Sequence, residues 1–177
     1  MNKLRIIPGN ANDIPELSEL YDQLNEYLAA STNYPGWRKD IYPTIEDAEA
    51  GVNSNSLFVA KIDNKVVGTI VLNYNPENSY DTVNWKTNTE DYSDIYVIHT
   101  LAVHPQFLNN GVGQALLEFS IKIARERGIK SIRLDVYQKN EPAIHLYKKM
   151  GFEYIALVDL GLSEFGLDYF QLYELVI

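Results

Sequence analysis

Apolar residues recur along this chain in two rhythms, and the switches between them outline its elements. Residues 3–7 (KLRII) form a short apolar run closed by Pro8 and Gly9, which predicts a strand. Asp13 with Glu16 has the spacing of a capping box. Behind it Ile14, Leu17, Leu20, Leu24 and Leu28 recur at threes and fours, predicting a helix to about residue 28. After a loop holding Tyr34, Pro35, Trp37 and Tyr42, Thr44 and Asp47 cap a second, short helix to about Gly51. Runs at 56–62 and 65–73, joined by Asp63-Asn64, read as a β-hairpin. Residues 75–94 are polar and long for a loop, which hints at function or mobility. A strand at 95–103 stops at His104-Pro105, and a glycine-bearing turn opens a helix at 111–127. Leu116, Leu117, Ser120, Ile121 and Ala124 make that helix's buried face, and Gly128 ends it. A strand at 131–137, a helix from its cap Asn140 to Met150, and strands at 152–159 and 168–176 complete the order β-α-α-β-β-β-α-β-α-β-β. Hairpins followed by a βαβα unit predict an α/β fold: one mixed, mostly antiparallel sheet of about seven strands with helices on both faces, in a single domain over 1–177.

Composition narrows the function. Apolar residues make up 46% and charged residues 22% of the 177, a globular balance that excludes disorder. With no cysteine there is no disulfide framework, zinc ribbon or thiol nucleophile. No His, Asp and Glu cluster has metal-ligand spacing, so no metal is expected. The net charge of −9 and the lack of a basic stripe argue against nucleic acid and would favour cationic small molecules; acidity that serves solubility alone is the plainer reading of that charge. No apolar run reaches signal-peptide or membrane-span length, so a cytoplasmic protein without a membrane partner is expected, with homodimerisation left open.

The chemistry concentrates in Leu101-Ala102-Val103-His104-Pro105-Gln106-Phe107-Leu108-Asn109-Asn110-Gly111-Val112-Gly113-Gln114-Ala115-Leu116-Leu117. A strand, a turn with two glycines and a helix start aim several backbone N–H groups and the positive helix end at one point, which suits a phosphate or pyrophosphate. No Gly-Lys-Ser/Thr follows, so it is not a Walker loop, and Leu116 stands where a dinucleotide fingerprint has its third glycine.

A second stretch, Asn140-Glu141-Pro142-Ala143-Ile144-His145-Leu146-Tyr147-Lys148-Lys149-Met150-Gly151-Phe152, follows the next strand. In this order and spacing the two stretches resemble the GNAT superfamily of acyl-CoA-dependent N-acetyltransferases, with its L-A-V-H-P-x-Y-[RQ]-x-x-G-x-G-x-x-L-L and N-x-x-A-x-x-L-Y-x-K-x-G-F segments. The resemblance covers about residues 95–153. It implies acetyl-CoA as co-substrate, with the backbone of Leu101, Ala102 and Val103 along the pantetheine arm. It implies that Leu108, Asn109, Asn110, Gly111, Val112, Gly113 and Gln114 hold the pyrophosphate, that Asn140 contacts the cofactor, and that Tyr147 protonates the departing thiolate. Leu108 departs from the superfamily's Arg or Gln; the lost charge-assisted hydrogen bond is worth roughly 1.5–3 kcal/mol of cofactor affinity.

An attacking amine must be neutral, and His99 on the strand before the cofactor segment suits a general base, with Asp94 through water as the reserve. The resemblance supports His99, since arylalkylamine acetyltransferases of the superfamily carry histidine there while other members use Glu. A histidine packed inside the sheet is the plainer alternative. His145 reads as an exposed helix residue and His104 as a pre-proline turn residue. Trp37, Tyr42, Trp85 and Asp94, with the acidic 75–94 segment, could form an aromatic, acidic pocket for a cationic amine; the alternative is a surface loop with aromatics packed beneath it. Three functions follow: acetyl transfer to the primary amine of a small molecule in a ternary complex, a non-catalytic acyl-CoA sensor, and protein N-terminal acetylation, which needs a groove that the 75–94 segment would narrow.

Overall fold

The computed structural model of the chain describes residues 3–177. Its strands are β1 (Arg5–Pro8), β2 (Leu57–Ile62), β3 (Lys65–Asn73), β4 (Ile95–Val103), β5 (Ser131–Tyr137), β6 (Glu153–Val158) and β7 (Phe170–Val176). Its helices are α1 (Ile14–Ala29), α2 (Ile45–Asn53), α3 (Val112–Glu126) and α4 (Glu141–Lys149). The element order is the expected one. All seven strands lie in one sheet, ordered β1-β2-β3-β4-β5-β7-β6. The pairs β1–β2, β2–β3, β5–β7 and β6–β7 are antiparallel, and β4–β5 is parallel. Among the described residues no helix is long and apolar enough to cross a membrane.

The chain divides into two compact units, Met1–Asn33, Trp37–Leu72 and His99–Phe119 against Tyr34–Gly36, Asn73–Ile98 and Ser120–Ile177. β4 and α3 each contribute to both.

In the first unit, the α1 stripe of Leu17, Leu20, Leu24 and Leu28 packs with Leu57, Val59, Val66, Val71 and Ala102. Alternation along β2 turns Phe58 the other way, where its ring meets Phe119 of α3 at 4.9 Å. Helices therefore cover both faces of this part of the sheet. The hairpin turn is as expected, with Asp63 and Asn64 at φ 50° and 64°, the left-handed pair of a type I′ turn. α2 starts on the expected capping box of Thr44 and Asp47.

The start of α1 differs. Asp13 stands at the N-cap of α1, but its side chain makes no cap hydrogen bond there; the capping box is that of Asn10 with Asp13, across a 3-10 turn at Ala11–Asp13. Asp13 is buried and takes an ion pair from Lys61 at 2.5 Å, while Glu16 accepts the Val66 N–H at 2.9 Å. Both carboxylates of the expected box thus serve the sheet, partners that local spacing does not reveal.

In the second unit, Tyr80, Val97 and Leu172 form one buried cluster, with Val83, Trp85 and Tyr92 of the 75–94 segment packed on it. Arg133 of β5 is only 2% exposed. Its Nε donates to Glu174 Oε1 (3.2 Å), and its two terminal nitrogens donate to the Tyr92 hydroxyl (2.7 Å) and the Thr87 carbonyl (2.6 Å). The Trp85 ring lies 4.3 Å from its guanidinium carbon. Glu174 also accepts from Ser131 Oγ and the Lys86 N–H, at 2.8 and 2.7 Å. The long polar segment is therefore anchored along its length, and its aromatics are packed beneath it.

Candidate active site

Within the first unit β4 runs from His99, a half-buried residue, into Thr100, whose φ of +46° is a backbone outlier for a β-branched side chain. Thr100 Oγ1 is hydrogen-bonded to the Tyr42 hydroxyl. Trp37 stands edge-on to Tyr42 at 5.6 Å. That loop is tied down in turn: Asn25 Nδ2 donates to the Tyr42 carbonyl at 3.2 Å and Asn33 Nδ2 to the Trp37 carbonyl at 2.7 Å.

Past Leu101, Ala102 and Val103, a 3-10 turn at Pro105–Phe107 leads to Asn109 and Gly111, at φ 60° and 78°. The first ladder bond of α3 is Ala115 N–H to Gly111 O (2.9 Å), so the N–H groups of Val112, Gly113 and Gln114 precede the i→i−4 ladder at the positive helix end. A Cβ built on Gly111 meets no atom within 4 Å, so glycine is needed there for its φ, and the space before the turn is open. This arrangement fits a pyrophosphate. The Gln114 side chain donates to Glu118 at 2.8 Å; Asn110 Nδ2 donates to the Leu108 carbonyl at 2.9 Å, and Leu108 itself is apolar and half-buried.

Gly68 of β3 decides where α3 can begin. A Cβ there would lie 2.8 Å from Val112 Cγ1 and 3.2 Å from the Ala102 carbonyl. Sequence reasoning passed over this residue, although a glycine inside a strand pattern signals close approach. Thr100 had no sequence signal at all. His104, expected to be a plain turn residue, is buried within a hydrogen-bond network.

Within the second unit β4 and β5 are registered over three pairs, Ile95↔Ser131 to Val97↔Arg133. Asn140 is the N-cap of α4, its Oδ1 accepting from the Ala143 N–H at 3.4 Å. Tyr147 is buried on the inner side of that helix, edge-on to Phe152 at 5.8 Å. His145 is exposed, as expected. Asp94 pairs with Lys130 (2.5 Å) and accepts from Thr89 Oγ1 (2.9 Å). Lys130 first, with Thr89, holds the Asp94 carboxyl below the usual carboxylate range, which makes it a poor proton acceptor. Trp85 is committed to Arg133 and, through its indole N–H, to the Tyr80 carbonyl at 2.9 Å.

The sequence pattern described as the acetyltransferase (GNAT) family matches residues 17–152. The chain belongs to that family. A relative named N-alpha-acetyltransferase, from Sulfurisphaera tokodaii, is 34% identical over 132 residues, 74% of this chain and 72% of its own. An uncharacterized N-acetyltransferase of Methanocaldococcus jannaschii is 32% identical over 101 residues, 57% of this chain but 40% of that protein. The fold is shared with a GNAT-family acetyltransferase from Streptococcus agalactiae at a TM-score of 0.80 and 20% identity, covering 98% of this chain and 95% of that one. The ribosomal-protein-S18-alanine N-acetyltransferase from Escherichia coli has the same fold at a TM-score of 0.72 and 17% identity, over 99% and 94% of the two chains. This GNAT member is thus an acetyltransferase by family, and the turn before α3 falls inside the matched region.

Proposed function

We propose that this GNAT protein moves an acetyl group from acetyl-CoA to the primary amine of a small, cationic molecule. The observation that carries the proposal is the turn from Leu108 to Gln114, where the first N–H groups of α3 precede its ladder and open space lies beside Gly111. In this reading Leu108, Asn109, Asn110, Gly111, Val112, Gly113 and Gln114 hold the pyrophosphate, mainly through their backbone. The backbone of Leu101, Ala102 and Val103 runs along the pantetheine arm, and Asn140 adds a cofactor contact besides capping α4. Acetyl-CoA is a co-substrate and supplies the thioester.

His99 takes the proton that the amine sheds as its nitrogen bonds to the acetyl carbon. Tyr147 gives its hydroxyl proton to the sulfur as the C–S bond breaks. The left-handed Thr100 directly after His99 redirects the strand where this chemistry is placed, the kind of outlier that clusters at active sites. Trp37 and Tyr42 offer an aromatic wall to a cationic amine, and the net charge of −9 favours such a ligand. We leave Trp85 and Asp94 out of the amine site, because Arg133 and Lys130 already engage them.

A second reading, the N-terminal amine of a protein as acceptor, is favoured by the relative named N-alpha-acetyltransferase. Mass spectrometry of a panel of small amines and short peptides with free N-termini, each incubated with acetyl-CoA, separates the two. Acetylation of cationic small amines above all peptides is expected. Acetylation confined to peptide α-amines would replace the first reading with the second.

A further inference from the structure

We propose that His104 is a positioning residue for coenzyme A: its neutral ring holds the turn that receives the pyrophosphate, and its protonation loosens that turn and weakens cofactor binding. The inference rests on the reading of the Leu108–Gln114 turn given above.

His104 closes β4 and is 4% exposed. Its backbone is fixed at both ends, its N–H donating to the Val67 carbonyl (2.9 Å) and its carbonyl accepting the Phe107 N–H (2.8 Å). The ring is fixed as well. Nδ1 accepts the Gln106 N–H at 3.2 Å, capping the Pro105–Phe107 turn, and Nε2 lies 2.7 Å from Gln23 Oε1 of α1. A nitrogen that accepts a backbone N–H cannot carry a proton, so this geometry selects the neutral tautomer with its hydrogen on Nε2, donated to Gln23. The ring also stands edge-on to Phe107, the last residue before Leu108, at 5.8 Å.

Protonation at Nδ1 sets two donors against each other, Nδ1–H and the Gln106 N–H, and the cap is lost. The charged groups facing the ring are Lys65 of β3 with Glu16 and Glu19 of α1, which line a cleft of about 250 Å³ together with His104 and Gln23. Burial first, and Lys65 second, hold the His104 pKa below the ordinary histidine value against the opposing pull of Glu19. A depressed pKa keeps the ring neutral through neutral pH. The cap is therefore intact above the histidine range and lost as pH falls below it.

Calorimetric titration of coenzyme A at intervals between about pH 5 and pH 8 tests this without any need for turnover. The ligand's own secondary phosphate titrates near pH 6, so variants decide rather than the wild-type profile alone. Gln23→Glu puts a carboxylate beside Nε2 and should move the acid-side loss of affinity up by about one pH unit. His104→Asn can still accept the Gln106 N–H but does not titrate, so it should flatten the protein's share of the loss and keep affinity at pH 8 within about threefold. His104→Ala, which lacks the cap, should weaken binding about fivefold at pH 8. In the wild type, the ring-nitrogen NMR signals of His104 should report the neutral Nε2–H tautomer at pH 8.

Identical pH profiles for wild type, Gln23→Glu and His104→Asn would overturn the proposal, as would an Nδ1–H tautomer. Pantetheine, which has no phosphate, distinguishes the two levels of failure. If wild-type protein binds pantetheine as tightly as coenzyme A, the turn does not hold the pyrophosphate and the inference falls with that reading. If coenzyme A binds much the tighter but the profiles do not move, the role of His104 alone is overturned.

Discussion

Tyr147 packs edge-on to Phe152, a contact that a phenylalanine at position 147 would keep. Tyr147→Phe should therefore leave folding and acetyl-CoA binding intact while lowering kcat by about 10²–10⁴-fold, the contribution of a positioned acid. Near-normal turnover with chemistry rate-limiting would remove Tyr147 from the reaction. His99→Gln should likewise lower kcat by about 10²–10⁴-fold, the contribution of a positioned base, with acetyl-CoA affinity kept; near-normal turnover would return His99 to a packed strand residue. Leu108 offers a gain of function. Leu108→Arg adds a charge-assisted donor beside the turn and should tighten coenzyme A about tenfold by calorimetry, whereas no gain would show that the backbone alone recognises the phosphates. At this scale the sequence is readable where a residue acts through its own backbone, as Gly111 does, or caps its own helix, as Asn140 does. It is silent where the partner is remote. Arg133 sits in an alternating strand pattern with nothing local to mark it as buried, because its partners Tyr92, Thr87 and Glu174 lie about forty residues away on other segments.

Among the elements, α3 depends on β3 through a single missing side chain. A methyl group on Gly68 would meet Val112 Cγ1 at 2.8 Å and the Ala102 carbonyl at 3.2 Å, and the carbonyl cannot turn aside as a side chain can. Gly68→Ala should shift the first turn of α3, lowering Tm by a few degrees and weakening coenzyme A together. Loss of stability with unchanged affinity would mean that the helix start and the cofactor are not linked. The caps show how far local spacing carries. Thr44 and Asp47 form the box their spacing predicts. Asp13 and Glu16 have the same spacing, yet Lys61 and the Val66 N–H engage their carboxylates, and the capping box forms one turn earlier, between Asn10 and Asp13. The 75–94 segment likewise reads as a loop from its polarity, while its anchoring on a buried arginine is a property of the assembled second unit.

Over the whole molecule the order of elements along the chain and the family were legible, because hydrophobic rhythm and two long motifs are spread along the chain. The acceptor was not, since it depends on loops whose side chains meet only in three dimensions. Stability has a comparable non-local centre in Arg133 and Glu174. Arg133→Met strands a carboxylate that is 1% exposed and should cost about 3–5 kcal/mol, lowering Tm by about 10 °C. Adding Glu174→Gln, which removes the charge but keeps an acceptor for Ser131, should recover part of that loss in differential scanning calorimetry. A single variant within 1 kcal/mol of wild type would contradict this picture. The central claim, acetyl transfer from acetyl-CoA to an amine, is tested most directly by following free coenzyme A thiol and N-acetyl product together over many turnovers with a cationic amine. Sustained thiol release matched one for one by acetylated amine is expected. Tight binding of acetyl-CoA with no release above spontaneous hydrolysis, across the amines and peptides alike, would contradict it and leave a sensor of acyl-CoA in its place.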